Sequence, residues 1–310
     1  MNETATIYHV LYNPLAGNLQ RKLPPLLAEL EQAGHSAVAH DITAVTDYAS
    51  FLDTLTPEDT LILNGGDGTI NRFINDTEGL TIPCPLLYAP GGTGNDFLRD
   101  VDRAGRTEPF PLTPYVTDLP YVEVKGKRCR FLNNVGFGID GYCCEVGDAQ
   151  KTARTGKGDK PVNYTAIAIK GLLFHFKPTN ATVIVDGQTY TYKKVWLAPT
   201  MKGRYYGGGM IATPDQDRTA PDGKLSVMVF HDSSSLKTLM IFPSIFKGEH
   251  IKSTRYVTVH TGYDIRVILD SPRAVQIDGE TVVGVTEYHA YAAHLAPRAS
   301  EEEREAEATV

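Results

Sequence analysis

Four short apolar runs punctuate the first ninety residues: Thr6–Tyr12, Ser36–His40, Thr60–Leu63 and Pro85–Ala89. Between and after them the apolar positions fall at helical spacing. That spacing predicts helices over about Leu23–Ala33, from a Thr46 cap to about Leu55, from the Gly65 turn to about Asp76, and onward from Asn95. Prolines are tolerated in the first turn of the first helix, and Gly34 stops it. Strands that alternate with helices imply a parallel sheet covered on both faces.

From about Tyr121 the rhythm changes to period two. Tyr121–Val124 and Arg128–Leu132 flank Lys125-Gly126-Lys127, Ala181–Val185 and Thr189–Leu197 flank Asp186-Gly187-Gln188, and Ala274–Ile277 and Glu280–Val283 flank Asp278-Gly279. Each is a hairpin signal. Helices are expected to interrupt at about Val162–Phe176 and Ser235–Lys247. The second half therefore reads as antiparallel β, a sandwich or a barrel-like sheet. The expected division is residues 1–120, an α/β domain; 121–297, a β-rich domain; and 298–310, a solvated acidic tail.

Composition narrows the function classes. The formal charge is -7, and residues 301–310 set five glutamates against Arg304, a local sum of -4 that leaves the body near -3. No basic field advertises nucleic-acid binding. Cys84, Cys129, Cys143 and Cys144 form no spaced pair, which argues against zinc. The opening residues lack a signal-peptide pattern and no run of about 18 apolar residues occurs. The expectation is a cytoplasmic protein that meets membranes only from outside.

Candidate chemistry concentrates in glycine-rich turns. In LILNGGDGTINRF, Leu61–Phe73, a buried strand stops, Gly65, Gly66 and Gly68 let the backbone turn, and a helix begins near Thr69. Amides and a positive helix end then point at one place, which suits phosphate. Asp67 in that turn makes sense where a magnesium ion or a bound water separates it from phosphate. The bland alternative is a strand–turn–helix junction capped by Thr69. One strand later APGGTGNDF repeats the design, with Gly92, Thr93, Gly94, Asn95 and Asp96 at a helix start. Asn13-Pro14-Leu15-Ala16-Gly17 is a third turn after a strand. Three such turns would share one carboxyl-end crevice.

NPLAG, NGGDGT and PGGTGND together resemble the diacylglycerol kinase catalytic-domain family, which includes soluble bacterial diacylglycerol kinases and the sphingosine and ceramide kinases. GGDGT alone is shared with NAD kinases and is similar to an element of phosphofructokinases. Later matches favour the lipid kinases: GFGID at Gly136–Asp140, PDGKL at Pro221–Leu225, KGEH at Lys247–His250 and QIDGE at Gln276–Glu280. The resemblance implies an NAD kinase/phosphofructokinase-like doubly wound domain followed by a sandwich-like one. It implies a nucleotide site at Asn13, Gly65–Thr69 and Gly92–Asp96, with ATP as donor and Mg²⁺ as cofactor. It places Asp222 in a magnesium site with backbone carbonyls near Thr219 and Lys224. The soluble bacterial enzymes commonly carry an acid at the position of Pro221 and a lysine at that of Thr219. It also brings Asp278 and Glu280 into the active cleft.

On residues alone, Asp278-Gly279 is a hairpin turn, as is Asp186-Gly187. If the segment is extended, Asp278 and Glu280 project to one side. The resemblance favours Glu280 as the base that takes the lipid hydroxyl proton, with Asp67 and Asp278 as catalytic companions. The partners implied are a membrane lipid, met by peripheral contact, and a second copy in a homodimer. Diacylglycerol giving phosphatidic acid leads the acceptors. An NAD kinase-like enzyme and a non-catalytic nucleotide- or lipid-binding module are the alternatives. Lys170–Phe176 and Leu239–Phe246 are apolar runs flanked by lysines; each reads first as a core-facing helix and second as a segment that dips into a bilayer. Gly207-Gly208-Gly209 suggests a flap or a tight turn.

Overall fold

The computed structural model describes residues 6–297 except 15, 17–18, 93–94, 154–166, 168–169 and 172–174. Most of the helix expected over Val162–Phe176, including Leu172, Leu173 and Phe174, and the acidic tail lie outside the described residues.

The first sheet has five strands in the order β2-β1-β3-β4-β5: β1 (Ile7–Tyr12), β2 (Ser36–Asp41), β3 (Thr60–Gly65), β4 (Leu86–Pro90) and β5 (Phe110–Pro111). β1 to β4 run parallel and β5 antiparallel. Every residue of β3 is buried, as a central strand covered on both faces requires. Alternate side chains sort onto the two faces. Val10, Ile62 and Ala89 pack with Leu26 and Leu30 of α1 (Leu19–Gln32). Leu11, Leu61, Leu63 and Tyr88 face Leu52 of α2 (Tyr48–Asp53), Phe73 of α3 (Asp67–Asp76) and Phe97 of α4 (Asp96–Asp100). The sheet is wound on both faces, as the alternation of runs predicts.

The caps differ in detail from the expectation. Helix α1 starts at Leu19, so Pro24 and Pro25 lie inside it, both exposed, where water can satisfy the carbonyls left without an amide donor. Asp47, not Thr46, caps α2, accepting from Ser50 N at 3.0 Å. Gly66 rather than Thr69 is the N-cap of α3. Thr69 is buried in the first turn and accepts from Asn13 Nδ2 at 3.1 Å.

The second sheet has ten strands and runs β15-β14-β11-β8-β16-β17-β6-β7, with β9 and β10 attached through β16. Its members are β6 (Tyr121–Val124), β7 (Lys127–Arg130), β8 (Asn134–Gly138), β9 (Thr179–Val185), β10 (Gln188–Val195), β11 (Leu197–Met201), β14 (Leu225–Phe230), β15 (Val257–Gly262), β16 (Asp264–Ile277) and β17 (Glu280–Tyr291). All these pairings are antiparallel. β16 makes the sheet fold over. Ile265–Leu269 pair with β9, Val275–Ile277 pair with β8, and the register shifts between Ile268 and Arg273. An irregularity there bends the strand so that one long hairpin serves two parts of the sheet. The enclosed core includes Val135, Phe137, Val183, Val227, Val267 and Tyr288.

A short hairpin, β12 (Tyr205–Tyr206) and β13 (Met210–Ile211), carries Gly207-Gly208-Gly209 at its tip. All three glycines have positive φ, so the run forms a tight turn. The helix expected over Ser235–Lys247 divides. Ser234 caps an α-helix over Ser235–Ile241, and a 3₁₀ helix continues over Phe242–Lys247. Pro243 has no amide to donate to the turn before it, which accounts for the change of pitch.

Candidate active site

β1, β3 and β4 end at one edge of the parallel sheet, where strand order reverses from β1 to β3. Open α/β sheets bind ligands at that point. The turns after β3 and β4 abut backbone to backbone. A Cβ on Gly92 would stand 2.5 Å from Gly66 Cα, and Gly91 and Gly92 N–H both donate to Gly65 O, at 2.6 and 3.0 Å. Only glycine permits that approach. Asn13 closes the third side, its backbone N–H donating to Asn64 O at 3.2 Å. Gly65, Gly66, Asp67, Gly68, Thr69, Gly92, Asn95, Asp96 and Asn13 are thus gathered at one edge of the sheet. Thr93 and Gly94 lie outside the described residues.

Asp67 sits in the first turn of α3. Its Oδ2 accepts from Asp96 N at 2.8 Å, Phe97 N at 3.2 Å and Asn133 Nδ2 at 3.1 Å. Its Oδ1 is buried with no hydrogen-bond partner among the described residues, and so is Asn95 Oδ1. A buried carboxylate oxygen without a donor is costly. Burial pushes the Asp67 carboxyl up, while the Phe97 and Asp96 amides, the Arg218 guanidinium and Asn133 pull it down. An oxygen-seeking divalent cation fits that unmatched atom. Asp96, also buried, accepts from Arg99 Nη1 at 2.8 Å and from Gly208 N at 2.7 Å. Burial, reinforced by Asp67, pushes it up to about 6.

Asp278 and Glu280 do not lie on an extended segment. Asp278 and Gly279 both have positive φ, at 47° and 93°, and form the two-residue turn between β16 and β17. That reverses the chain, so the alternation argument fails. The Asp278 carboxylate turns inward and accepts from Leu132 N, Asn133 N at 2.7 Å, Asn134 N at 3.0 Å and Asn71 Nδ2 at 2.6 Å. Burial pushes this carboxyl up and the four donors oppose the shift. Its lone pairs are engaged, which suits positioning and not proton abstraction. Glu280, the first residue of β17, is exposed.

Below these carboxylates lies a buried hub of residues outside the recognised motifs. Arg218 Nε donates to Asp100 Oδ2 at 2.6 Å, Nη1 to Leu132 O at 2.8 Å and Nη2 to Asn133 Oδ1 at 2.6 Å. Its guanidinium lies 5.0 Å from the centre of the Phe97 ring. Arg204 binds the same carboxylate through its backbone N–H at 2.9 Å and Nε at 3.0 Å. One fork therefore joins α4 of the parallel domain to the segment between β7 and β8 of the β-rich domain. Asn71 was findable, since it lies one helical turn beyond Asp67 on the same face. Arg218, Arg204 and Asn133 carry no local signature.

The Asp222 set is assembled differently from the expectation. Asp222 is exposed and pairs with Lys224 Nζ at 3.2 Å, while Lys224 O accepts from Gln216 Nε2 at 2.9 Å. Thr219 donates through N–H and hydroxyl to Asp217 Oδ1, at 2.8 and 2.7 Å. Asp222 and the Lys224 carbonyl are thus already engaged. Among the described residues no cluster of three or more His, Cys, Asp or Glu side chains could hold a metal. A cleft of about 590 Å³ opens beside Asp222 and Lys224, lined also by Asp217, Ser226 and Ile251, away from the Asp67 turn.

Residues 8–111 match the family model described as diacylglycerol kinase catalytic domain, and residues 133–299 match the YegS C-terminal NAD kinase beta sandwich-like domain. The chain belongs to the diacylglycerol kinase-like family of lipid kinases. It is 28% identical over 268 residues to a diacylglycerol kinase of Mycobacterium tuberculosis, covering 81% of this chain and 83% of that one. A diacylglycerol kinase of Bacillus subtilis is 24% identical over 285 residues, covering 87% and 88%. The crystal structure of a diacylglycerol kinase from Bacillus anthracis str. Sterne superposes with a TM-score of 0.57 at 21% identity, covering 94% of this chain and 96% of that one. That last likeness concerns the fold. Both domains of the family are present, and kinase membership implies ATP as the phosphate donor. Among the described residues no helix is long and apolar enough to cross a membrane.

Proposed function

We propose that this lipid kinase transfers the γ-phosphate of ATP, with Mg²⁺, to the hydroxyl of a membrane lipid, diacylglycerol first among the candidates, giving phosphatidic acid. The observation that carries the reading is Asp67. One of its carboxylate oxygens is buried without a hydrogen-bond partner among the described residues, in the first turn of α3 beside the place where the two glycine turns abut.

The glycine turns offer backbone amides and a helix N-terminus to the phosphates. Asp67 would hold a magnesium ion, and the charge such an ion supplies would offset that developing on phosphate oxygens. Asp278 fixes Leu132, Asn133 and Asn134, and through Asn133 it fixes Asp67. Asp96 ties the Gly207–Gly209 turn to the second glycine loop. Glu280, one residue beyond the hairpin turn, takes the hydroxyl proton as the lipid oxygen attacks. As an exposed carboxylate it is open to an acceptor that arrives from a bilayer. Catalysis of this kind rests on positioning and charge neutralisation.

The test is transfer of labelled γ-phosphate from ATP and Mg²⁺ to lipids in mixed micelles, beside NAD and a no-acceptor control. Labelled phosphatidic acid that disappears with Asp67→Ala is the expected result. Label in NAD would move the chain to the NAD kinase-like reading. Nucleotide binding without transfer to anything would leave a binding module.

A further inference from the structure

The helix Ser235–Ile241 and the 3₁₀ helix that continues it bury one side and expose the other. Ile241 and Ile245 join the core around Trp196, Phe230 and Val257. Leu236, Met240 and Phe246 are 65%, 67% and 46% exposed. Leu236 and Met240 stack one turn apart, and exposed Pro243 carries the stripe on towards Phe246. Scattered apolar residues are ordinary on a surface; a ridge of large ones along one element is not.

Cations flank the ridge in the sequence, and one of them, Lys252, pairs with Glu249 at 2.9 Å. Lys237, Lys247, Lys252 and Arg255 oppose a single carboxylate between residues 235 and 256, Glu249, in a chain whose formal charge is -7. Lys237 and Arg255 lie 5.6 and 5.5 Å from the centre of the Tyr256 ring. Large apolar side chains backed by cations and an aromatic ring suit the boundary between headgroups and acyl chains. Lysine and arginine beside such a face draw it to an anionic leaflet.

We propose that this ridge is the face by which the protein docks on an anionic lipid bilayer. Leu236, Met240 and Phe246 enter the acyl boundary, and the four cations contact headgroup phosphates. The proposal rests on the lipid-kinase reading, since the acceptor then resides in a bilayer. The ridge also stands close to the nucleotide crevice. Beyond it, Gly248 packs against Pro214 and Ile211, and His250 Nε2 donates to Ala212 O at 3.0 Å. Ile211 belongs to the β12–β13 hairpin, whose tip residue Gly208 donates to Asp96. One hairpin therefore separates the docking face from the second glycine loop.

The experiment is flotation with vesicles of phosphatidylcholine, alone or mixed with phosphatidylglycerol, for the whole chain and two variants. Leu236→Glu/Met240→Glu/Phe246→Glu is expected to lower the bound fraction about tenfold or more on mixed vesicles. A variant with the four cations changed to Gln should lose the preference for phosphatidylglycerol and the salt dependence, and keep its residual binding to phosphatidylcholine. Circular dichroism and thermal midpoint check that each variant is folded. Phosphorylation of diacylglycerol in vesicles should fall with binding, while a short-chain, water-dispersed diacylglycerol is turned over as by the parent. Vesicle binding unchanged in the triple Glu variant overturns the proposal. So does a change in sedimentation-equilibrium mass without a change in vesicle binding, which would make the ridge a contact between copies. A parent protein that binds vesicles but phosphorylates no lipid would refute the kinase reading and leave the docking face standing.

Discussion

Asp67 and Asp278 are joined through one residue: Asn133 donates its side-chain amide to Asp67 at 3.1 Å and its backbone N–H to Asp278 at 2.7 Å. The first carboxylate comes from the parallel domain and the second from the tip of the longest hairpin of the β-rich domain. The crevice is therefore set by docking of the two domains.

Asp278→Ala should accordingly act on stability and turnover together. It leaves the amides of Leu132, Asn133 and Asn134 without their acceptor. Each buried donor so orphaned costs about 1 kcal/mol or more, so a loss of about 3 kcal/mol is expected. A urea unfolding curve reads that loss as a lower midpoint at unchanged slope. Stability like the parent's would mean that water or a neighbouring group replaces the carboxylate.

Asp67→Asn should separate binding from chemistry. The amide keeps an acceptor for the Asp96 and Phe97 amides but removes the charge a cation would meet. Turnover is expected to fall about a hundredfold or more, with the fold intact and nucleotide still bound in calorimetry. Near-normal turnover would take the cation away from this carboxylate.

Much of this arrangement was legible in the sequence, for identifiable reasons. β1, β3 and β4 announce themselves because both faces are buried, and the turns that follow need glycine at places such as Gly92, where another backbone arrives. Asp278-Gly279 reads locally as a turn, and it is one. What the sequence could not show is that the turn residue's carboxylate reaches into the other domain. Arg218 is the clearest loss. An arginine between Asp217 and Thr219 resembles any surface cation until the fold carries it to Asp100.

Arg218→Met is therefore expected to cost about 3 kcal/mol. It leaves Asp100 buried with part of its charge unmet, although Arg204 still reaches it. Arg218→Lys should rescue little, because one ammonium cannot serve Asp100, Leu132 O and Asn133 Oδ1 in a planar fork. Full rescue by lysine would show that charge alone is needed. Chemical denaturation of both variants decides.

Asp96 makes a prediction in pH. Its folded-state carboxyl is pushed up to about 6 by burial and by Asp67, above the ordinary value of 3.8. The folded state therefore holds the proton more tightly. The stability this adds is fully present below about pH 4 and is lost as pH rises through about 6. In Asp96→Asn that decline should be missing. Unfolding free energies of parent and variant between pH 4 and 7 should differ in slope over this window. Parallel curves would refute the shifted carboxyl.

Gly92 and Gly68 are both glycines of the nucleotide turns, yet a methyl group should do opposite things at the two. At Gly92 it would meet Gly66 Cα at 2.5 Å, so Gly92→Ala must push the two turns apart. At Gly68, exposed in the first turn of α3, nothing lies within 4 Å. Gly68→Ala should therefore leave the fold intact and stabilise it by up to about 0.5 kcal/mol through helix propensity. If phosphate occupies the crevice, that same methyl stands where the ligand approaches. Gly68→Ala should then weaken nucleotide binding while raising the thermal midpoint, whereas Gly92→Ala should lower both. Titration calorimetry and thermal melts on the pair distinguish a packing glycine from one left open for a ligand. Unchanged affinity in Gly68→Ala would move the phosphates away from the start of α3.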